Sequence, residues 1–385
     1  MDSYSRFLAT MRGEPADRAA ASSWLGMPLL MQLVPGAASY TELFERMVDD
    51  PIKNIIEVQE AVGMDPIVLT QSEHPGEVIT YPGLLFTWPE EALANWRISR
   101  RVLGSQATHQ VVQRVIHTPK GELSLTYRLD DHSRSTFEHM LKQEADLEAL
   151  AYWPDPMLLN IDRLARMVRL VEKRGVFHHV APGVWNEACE LRGINNLSLD
   201  LFDRPDWVKR LMRLIADRQI RLFGRLAQSG IETINLNETW VGFGISPAAY
   251  REFILPYDKE VVGAIHEAGM LVSYHNCGRA SRLLELHAET GADALETLTP
   301  AERSGDVDLA DAKARIGRRM TLYGGFNEHV LYQGQASDVE AEVRRCLAAA
   351  GKGGRYILRA TGQIMAAKPG NLQTMTSAVR KYGAY

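Results

Sequence analysis

The second half of the chain alternates between two kinds of segment, and that alternation leaves few folds open. Short apolar runs at 231–236, 270–274, 294–298, 320–325 and 355–359 each precede a longer amphipathic stretch, at 247–268, 279–290, 309–316, 336–350 and 371–382. The apolar runs have strand length. In the first amphipathic stretch Phe253, Ile254, Tyr257, Val261, Val262 and Ile265 fall at helical spacing. Gly291 closes the second stretch, as suits a residue that tolerates left-handed backbone past a helix end. Strand–helix units in succession predict a parallel sheet, because parallel neighbours need a crossover connection. Runs at 175–181 and 65–70 supply further strands. The count suits a (β/α)8 TIM barrel of the α/β class better than an open sheet, which stays as the alternative. One stretch breaks the alternation. Residues 109–117 and 122–128 are rich in β-formers, and Thr118-Pro119-Lys120-Gly121 between them is a turn signal. The expectation is a β-hairpin, about 109–128, inserted after an N-terminal extension and ahead of the main barrel body. No Pro/Gly/Ser-rich linker, low-complexity tract or short repeat divides the chain, so 1–385 reads as one barrel domain.

Composition narrows the functional classes. A chain of 385 residues with 45% hydrophobic content can bury a large core. A net charge of -5 argues against general nucleic-acid binding. No apolar run approaches bilayer length, and Met1-Asp2-Ser3-Tyr4-Ser5-Arg6 lacks the basic-then-apolar order of a secretion signal. The three cysteines, Cys189, Cys277 and Cys346, are too few for a disulfide framework. These features point to a cytoplasmic protein without nucleic-acid or membrane partners; its oligomeric state stays open. Cys346 sits in a helical stretch and reads as structural, while Cys189 is ambiguous.

In barrels of this class the chemistry lies at the C-terminal ends of the strands. Those ends carry Asn237-Glu238, then His275 and Cys277, then Glu296, then Gly324-Gly325-Phe326-Asn327, then Thr361-Gly362-Gln363. His275 and Cys277 are two residues apart at a strand end, so they share a face. A thiolate and an imidazole projecting together form half of a tetrahedral zinc site. The plainer alternative is a small buried Cys277 beside a core His275. Glu296 interrupts an apolar run, where a carboxylate needs a cation or a donor. Asp306 and Asp308 read as helix N-terminal residues. His178 and His179 are adjacent on a strand, so at most one faces the barrel interior. Gly324-Gly325 lacks the spacing of a nucleotide loop, and no G-x-S-x-G elbow is present.

The motif His275-x-Cys277-Gly278 resembles the zinc motif of the uroporphyrinogen decarboxylase-like superfamily, in its corrinoid-dependent methyltransferase branch. Residues 11–18, 118–123, 185–193, 246–257 and 353–358 resemble other segments of that superfamily, so the resemblance covers most of the chain. It implies an eight-stranded barrel, one zinc ion per chain, and methyl transfer to or from a cobalt corrinoid. The related methyltransferases bind zinc through the motif His and Cys and a further Cys near the last strand, where this chain has Thr361-Gly362. In the distantly related cobalamin-independent methionine synthases a Glu on the intervening strand also ligates, and Glu296 takes the matching place. The expected metal ligands are therefore His275, Cys277 and Glu296, with Glu238 as a fourth. Glu238, His275 and Glu296 are the expected catalytic groups. One thiolate leaves zinc more electrophilic than two, which suits Lewis-acid activation of an oxygen. The expected reaction is O-demethylation of a methoxylated small molecule, with the methyl group passing to a corrinoid (cobalamin). This chain shows no Asp-x-His-x-x-Gly corrinoid module, so a separate corrinoid protein is the expected partner. The alternatives are a metal-free decarboxylase, a methylcorrinoid:thiol methyltransferase and a non-catalytic binding barrel. The decarboxylases carry an Arg-Gln-Ala-Gly-Arg setting near the N-terminus that grips substrate carboxylates, whereas residues 22–33 here contain no Arg or Lys. Trp24, Met27, Met31 and Leu33 are instead candidates to line an apolar pocket for an aromatic ring or the corrin face, with plain core packing the alternative. Asn327 joins Trp24 and Met27 as a cofactor-binding candidate.

Overall fold

The computed structural model describes residues 1–71, 85–106, 108–130 and 134–385. The first strands along the chain are β1 (Ala20–Ala21), β2 (Ile67–Gln71), β3 (Arg97–Gln106), β4 (His109–Thr118), β5 (Gly121–Leu129) and β6 (Arg134–Glu138). Then follow β7 (Val176–Pro182), β8 (Thr233–Asn237), β9 (Leu271–His275), β10 (Ala294–Thr297), β11 (Thr321–Gly324) and β12 (Tyr356–Leu358). Eight of these form one sheet in the order β1-β12-β11-β10-β9-β8-β7-β2, with every pairing parallel. Its two edges meet at a short seam. The Asp65 N–H donates to the Ala21 carbonyl at 2.8 Å, and the Ala21 N–H donates to the Asp65 carboxylate at 2.8 Å. The sheet is thereby rolled into the expected (β/α)8 barrel. Asp65 is buried at this seam and also receives Arg6 at 2.6 Å and Arg18 at 3.0 Å. Two guanidinium partners offset the cost of burying its charge.

The helix Ser3–Arg12 closes the lower end of the barrel. Asp2 caps it by accepting from the Ser5 N–H, and Gly13 ends it in the left-handed region. Its Phe7, Leu8 and Met11 pack against Ile67, Val176, Ala294 and Ile357 of the strands. Chemistry is thus confined to the other end.

The strands at the expected places follow the apolar runs within two residues at each end. The hairpin is also present, but it is half of a larger unit. β3-β4-β5-β6 form a four-stranded antiparallel sheet, with the Thr118–Gly121 turn joining β4 and β5. Val112, Ile116, Leu123, Leu125 and Tyr127 are its buried apolar residues. β3 is exposed almost throughout and carries Arg97, Arg100 and Arg101, so it has no apolar alternation to betray it. The stretch 247–268 is two helices, Pro247–Phe253 and Leu255–Glu267. Pro256 lacks the N–H that a continuous helix would use there, and it sits instead in the first turn of the second helix. Asp308 caps Leu309–Ile316 as expected, while Asp306 accepts from the Ala280 and Ser281 N–H groups at the start of the preceding helical segment. Among the described residues no helix is long and apolar enough to cross a membrane.

Candidate active site

Polar residues at every second position of the central strands build a buried cluster inside the barrel. Glu296 on β10 is its hub and is fully buried. One carboxylate oxygen accepts from His178 Nε2 at 2.5 Å and Ser273 Oγ at 2.6 Å. The other accepts from Asn235 Nδ2 at 2.7 Å and His275 Nδ1 at 3.0 Å. Strands β7, β8 and β9 therefore each place a donor on one carboxylate of β10. Arg359, just past β12, approaches with Nη2 at 3.6 Å. Burial by itself pushes a carboxyl's pKa up. Here the Arg359 charge, His178 and the hydrogen bonds outweigh burial and hold Glu296 well below the usual carboxylate range.

His275 is held at both ring nitrogens. Nδ1 faces Glu296, and Nε2 faces Cys277 Sγ at 3.1 Å. Burial disfavours the imidazolium, but the Cys277 thiolate and Glu296 favour it more strongly, and its pKa rises to about 9. Burial raises the Cys277 thiol, and His275, Arg359 and Thr239 more than reverse this, leaving it below its ordinary value. The two shifts run in opposite directions, so each group favours the charged form of the other. The Trp24 indole stacks on the His275 ring at 5.5 Å between centroids and 22° between planes. The same indole lies 4.6 Å from the Arg359 guanidinium carbon, and Tyr323 lies 5.3 Å from it.

The backbone around this cluster is closely fitted. Thr297 and Leu298, directly after Glu296, have φ of 75° and 52°, a region non-glycine residues rarely adopt. Such conformations concentrate at functional sites, where surrounding contacts hold them. Here Thr297 Oγ1 donates to the Asn276 carbonyl at 2.5 Å. Beside the motif, Gly242 packs so tightly that a Cβ there would come 1.8 Å from the Cys277 carbonyl oxygen.

Trp24 is also part of the wall of a cavity of about 400 Å³. Met27, Leu30, Phe44, Leu69 and Val180 make that wall largely apolar, and Ser23 and Gln363 also contribute. Of the residues expected to line such a pocket, Trp24 and Met27 do so. Met31 and Leu33 are not part of that wall and pack against the hydrophobic core.

The expected ligand set comes together only in part. His275 and Cys277 converge. Glu296 is adjacent, but its oxygens are taken by four protein donors and the one nearest His275 meets Nδ1, so it braces the imidazole from behind. Glu238 is a clear departure. It follows β8 on the outward side, where its carboxylate accepts from the Trp185 N–H at 2.9 Å and the Asn186 N–H at 2.7 Å. It caps the helix Val184–Arg192, whose unpaired N–H groups attract a carboxylate. Burial and neighbouring Asp258 push its pKa up. A Cβ at Gly183 would come 2.2 Å from the Glu238 carboxyl, so glycine there permits the cap. Asn327 accepts from the His329 N–H at 3.1 Å and orders its own loop. Of the His178–His179 pair, His178 faces the interior, and His179 turns outward to Thr70 at 2.8 Å. Among the described residues no group of three or more His, Cys, Asp or Glu side chains is arranged to hold a metal ion.

Asn235 and Ser273 were not among the expected site residues. Their signal was present, since polar residues recur at spacing two in Thr233-x-Asn235 and Ser273-x-His275, inside otherwise apolar strands. That pattern marks a polar barrel interior.

Residues 111–382 match the family model described as Uroporphyrinogen decarboxylase (URO-D), which is well over half of the chain. The chain belongs to the uroporphyrinogen decarboxylase family. Among curated members, the uroporphyrinogen decarboxylase of Cellvibrio japonicus is 30% identical over 160 residues, covering 41% of this chain and 43% of that protein. The uroporphyrinogen decarboxylase of Pseudomonas paraeruginosa is 33% identical over 233 residues, covering 57% and 63%. The chain thus spans less than two thirds of the length of these relatives. Of solved structures, a methyltransferase from Methanosarcina mazei superposes with a TM-score of 0.69 over 99% of both chains at 17% identity. At that identity the likeness shows that this family member shares the methyltransferase's fold.

Proposed function

We propose that this chain is a zinc-assisted methyltransferase, taking the methyl group of an O-methyl small molecule and passing it to a corrinoid carried by a separate protein. The observation that carries the reading is the meeting of His275 Nε2 and Cys277 Sγ at 3.1 Å, with His275 Nδ1 tied to Glu296. An imidazole fixed by a carboxylate at its far nitrogen is a common arrangement for a metal-binding histidine. His275 and Cys277 would hold the ion, and Cys277 is only partly buried, so external groups can reach it. Two protein donors are one fewer than catalytic zinc sites commonly use, which leaves room for substrate atoms. When bound, zinc supplies Lewis acidity toward an ether oxygen. Glu296 fixes the orientation of His275, and His275 gives up its Nε2 proton when the metal is loaded. Trp24 covers the imidazole against water, and the apolar cavity beside Trp24 receives the substrate's body.

A metal-free decarboxylase is the second reading, favoured by the curated family members and by the count of two converging donors. Metal analysis of protein purified without chelator separates the two. The methyltransferase reading expects about one zinc per chain, lost in His275→Ala and Cys277→Ser. Absence of stoichiometric zinc after a remetallation attempt contradicts it.

A further inference from the structure

We propose that Arg359 receives a carboxylate of the substrate, so that the molecule taken by this site is an aromatic or similarly apolar body bearing an acid group. The proposal rests on the reading above for the location of the site, and not for its metal.

Arg359 is 1% exposed, and a charge buried so deeply needs partners. Its carboxylate partner among the described residues is Glu296, at 3.6 Å, beyond good hydrogen-bond distance, and the Cys277 thiol also feels its charge. Both Glu296 oxygens already accept from His178, Ser273, Asn235 and His275 at 2.5–3.0 Å. Arg359 Nε and Nη1 have no hydrogen-bond partner among the described residues. Donors on a buried cation without acceptors are costly, and the deficit has the sign and chemistry of an oxyanion. The aromatic faces of Trp24 and Tyr323 flank the guanidinium without supplying an acceptor.

The second observation is what lies across Trp24. The indole that covers Arg359 and stacks on His275 is also wall to the cavity of about 400 Å³. Beside Trp24 that cavity is lined by Met27, Leu30, Phe44 and Leu69, surfaces suited to a ring, while Asp130 and Arg134 also contribute to its wall. An apolar body in the cavity with its acid group directed past Trp24 would satisfy both. Residues 22–33, which carry Trp24, contain no Arg or Lys, so Arg359 reaches the site from the other neighbour of β1, the strand β12.

The test is binding of 4-methoxybenzoate and of its neutral isostere 4-methoxybenzamide to the full chain, by calorimetry, with and without zinc. Wild type is expected to prefer the acid by about 10-fold or more, the scale of a charge-assisted hydrogen bond. Arg359→Gln should abolish the preference. Arg359→Lys keeps the charge but loses the planar donor array, and should weaken acid binding about 10-fold with the fold intact by thermal unfolding. It serves as the readout should Arg359→Gln not fold. Equal binding of acid and amide, no binding of either, or an unchanged preference in both variants overturns the proposal and leaves Arg359 as a counter-ion of Glu296. Inorganic phosphate displacing the acid at equal concentration would also overturn it, by showing a site for any oxyanion. Because binding needs neither corrinoid nor metal, a clear acid preference in a protein that holds no zinc refutes only the methyltransferase reading.

Discussion

Zinc loading of this site is expected to be a proton exchange centred on His275. Metal binds neutral imidazole and thiolate, so any proton on either must leave. With the His275 pKa near 9 and the Cys277 thiol below its ordinary value, the metal-free pair near neutrality holds its proton on the ring. Below about pH 9 each unit should then cost a factor of ten in zinc affinity, about 1.4 kcal/mol. From pH 7 to pH 9, where the ring is half protonated, affinity should rise about 50-fold, about 2.3 kcal/mol. Above pH 9 the His275 contribution is spent. Competition against a chromophoric chelator across that range measures the rise, and calorimetry in buffers of different ionisation enthalpy counts the proton released. An ordinary thiol beside a neutral histidine would also release a proton, so a second readout is needed. Ultraviolet thiolate absorbance of the metal-free protein at pH 7, compared with Cys277→Ser, assigns the proton to ring or sulfur. A neutral Cys277 thiol at pH 7, or zinc affinity flat between pH 7 and 9, would refute the reasoning.

Further outcomes follow from the same geometry. Glu296→Gln should weaken zinc about 10- to 100-fold, as loss of a partner behind a liganding histidine does. Because the Glu296 carboxyl is depressed, its stabilising contribution is present above about pH 4.5 and disappears as pH falls through its folded value. Acid unfolding should therefore differ between wild type and Glu296→Gln when followed by circular dichroism. Glu238→Gln should leave zinc affinity unchanged while costing about 1–3 kcal/mol in urea unfolding, since an amide group would face the Trp185 and Asn186 N–H donors. A drop in zinc affinity there would restore Glu238 as a ligand. Asp65→Ala removes the acceptor shared by Arg6, Arg18 and the Ala21 N–H and should cost about 3–5 kcal/mol, with a loss under 1 kcal/mol speaking against the seam.

The barrel was legible because parallel strands with crossover helices impose a rhythm on the chain, and seven of the eight barrel strands carry it. β1 did not, since a two-residue strand has no periodicity; its register depends on Asp65, 44 positions away. β3 was hidden for the opposite reason, being long but exposed on both faces, with Ile98, Val102 and Leu103 in no regular alternation. At the site, His275 and Cys277 were legible from their spacing together with their place at the end of a barrel strand. Glu296 was noticed as a carboxylate in an apolar run, yet its partners lie on three other strands, so its bracing role needed the register of the sheet. Glu238 was misjudged by one residue of strand phase. Asn237 ends β8, and the chain turns so that the next side chain points to the helix layer. Arg359 was read only as part of a strand, because its isolation from acceptors is a property of three dimensions.

The central claim is tested most directly by incubating the zinc-loaded chain with cob(I)alamin and an aromatic methyl ether that carries a carboxylate. The account predicts formation of methylcobalamin together with release of the demethylated hydroxy compound, both lost in His275→Ala and Cys277→Ser. No methylcobalamin from the zinc-loaded protein, with carbon dioxide released instead by the metal-free protein, would contradict it.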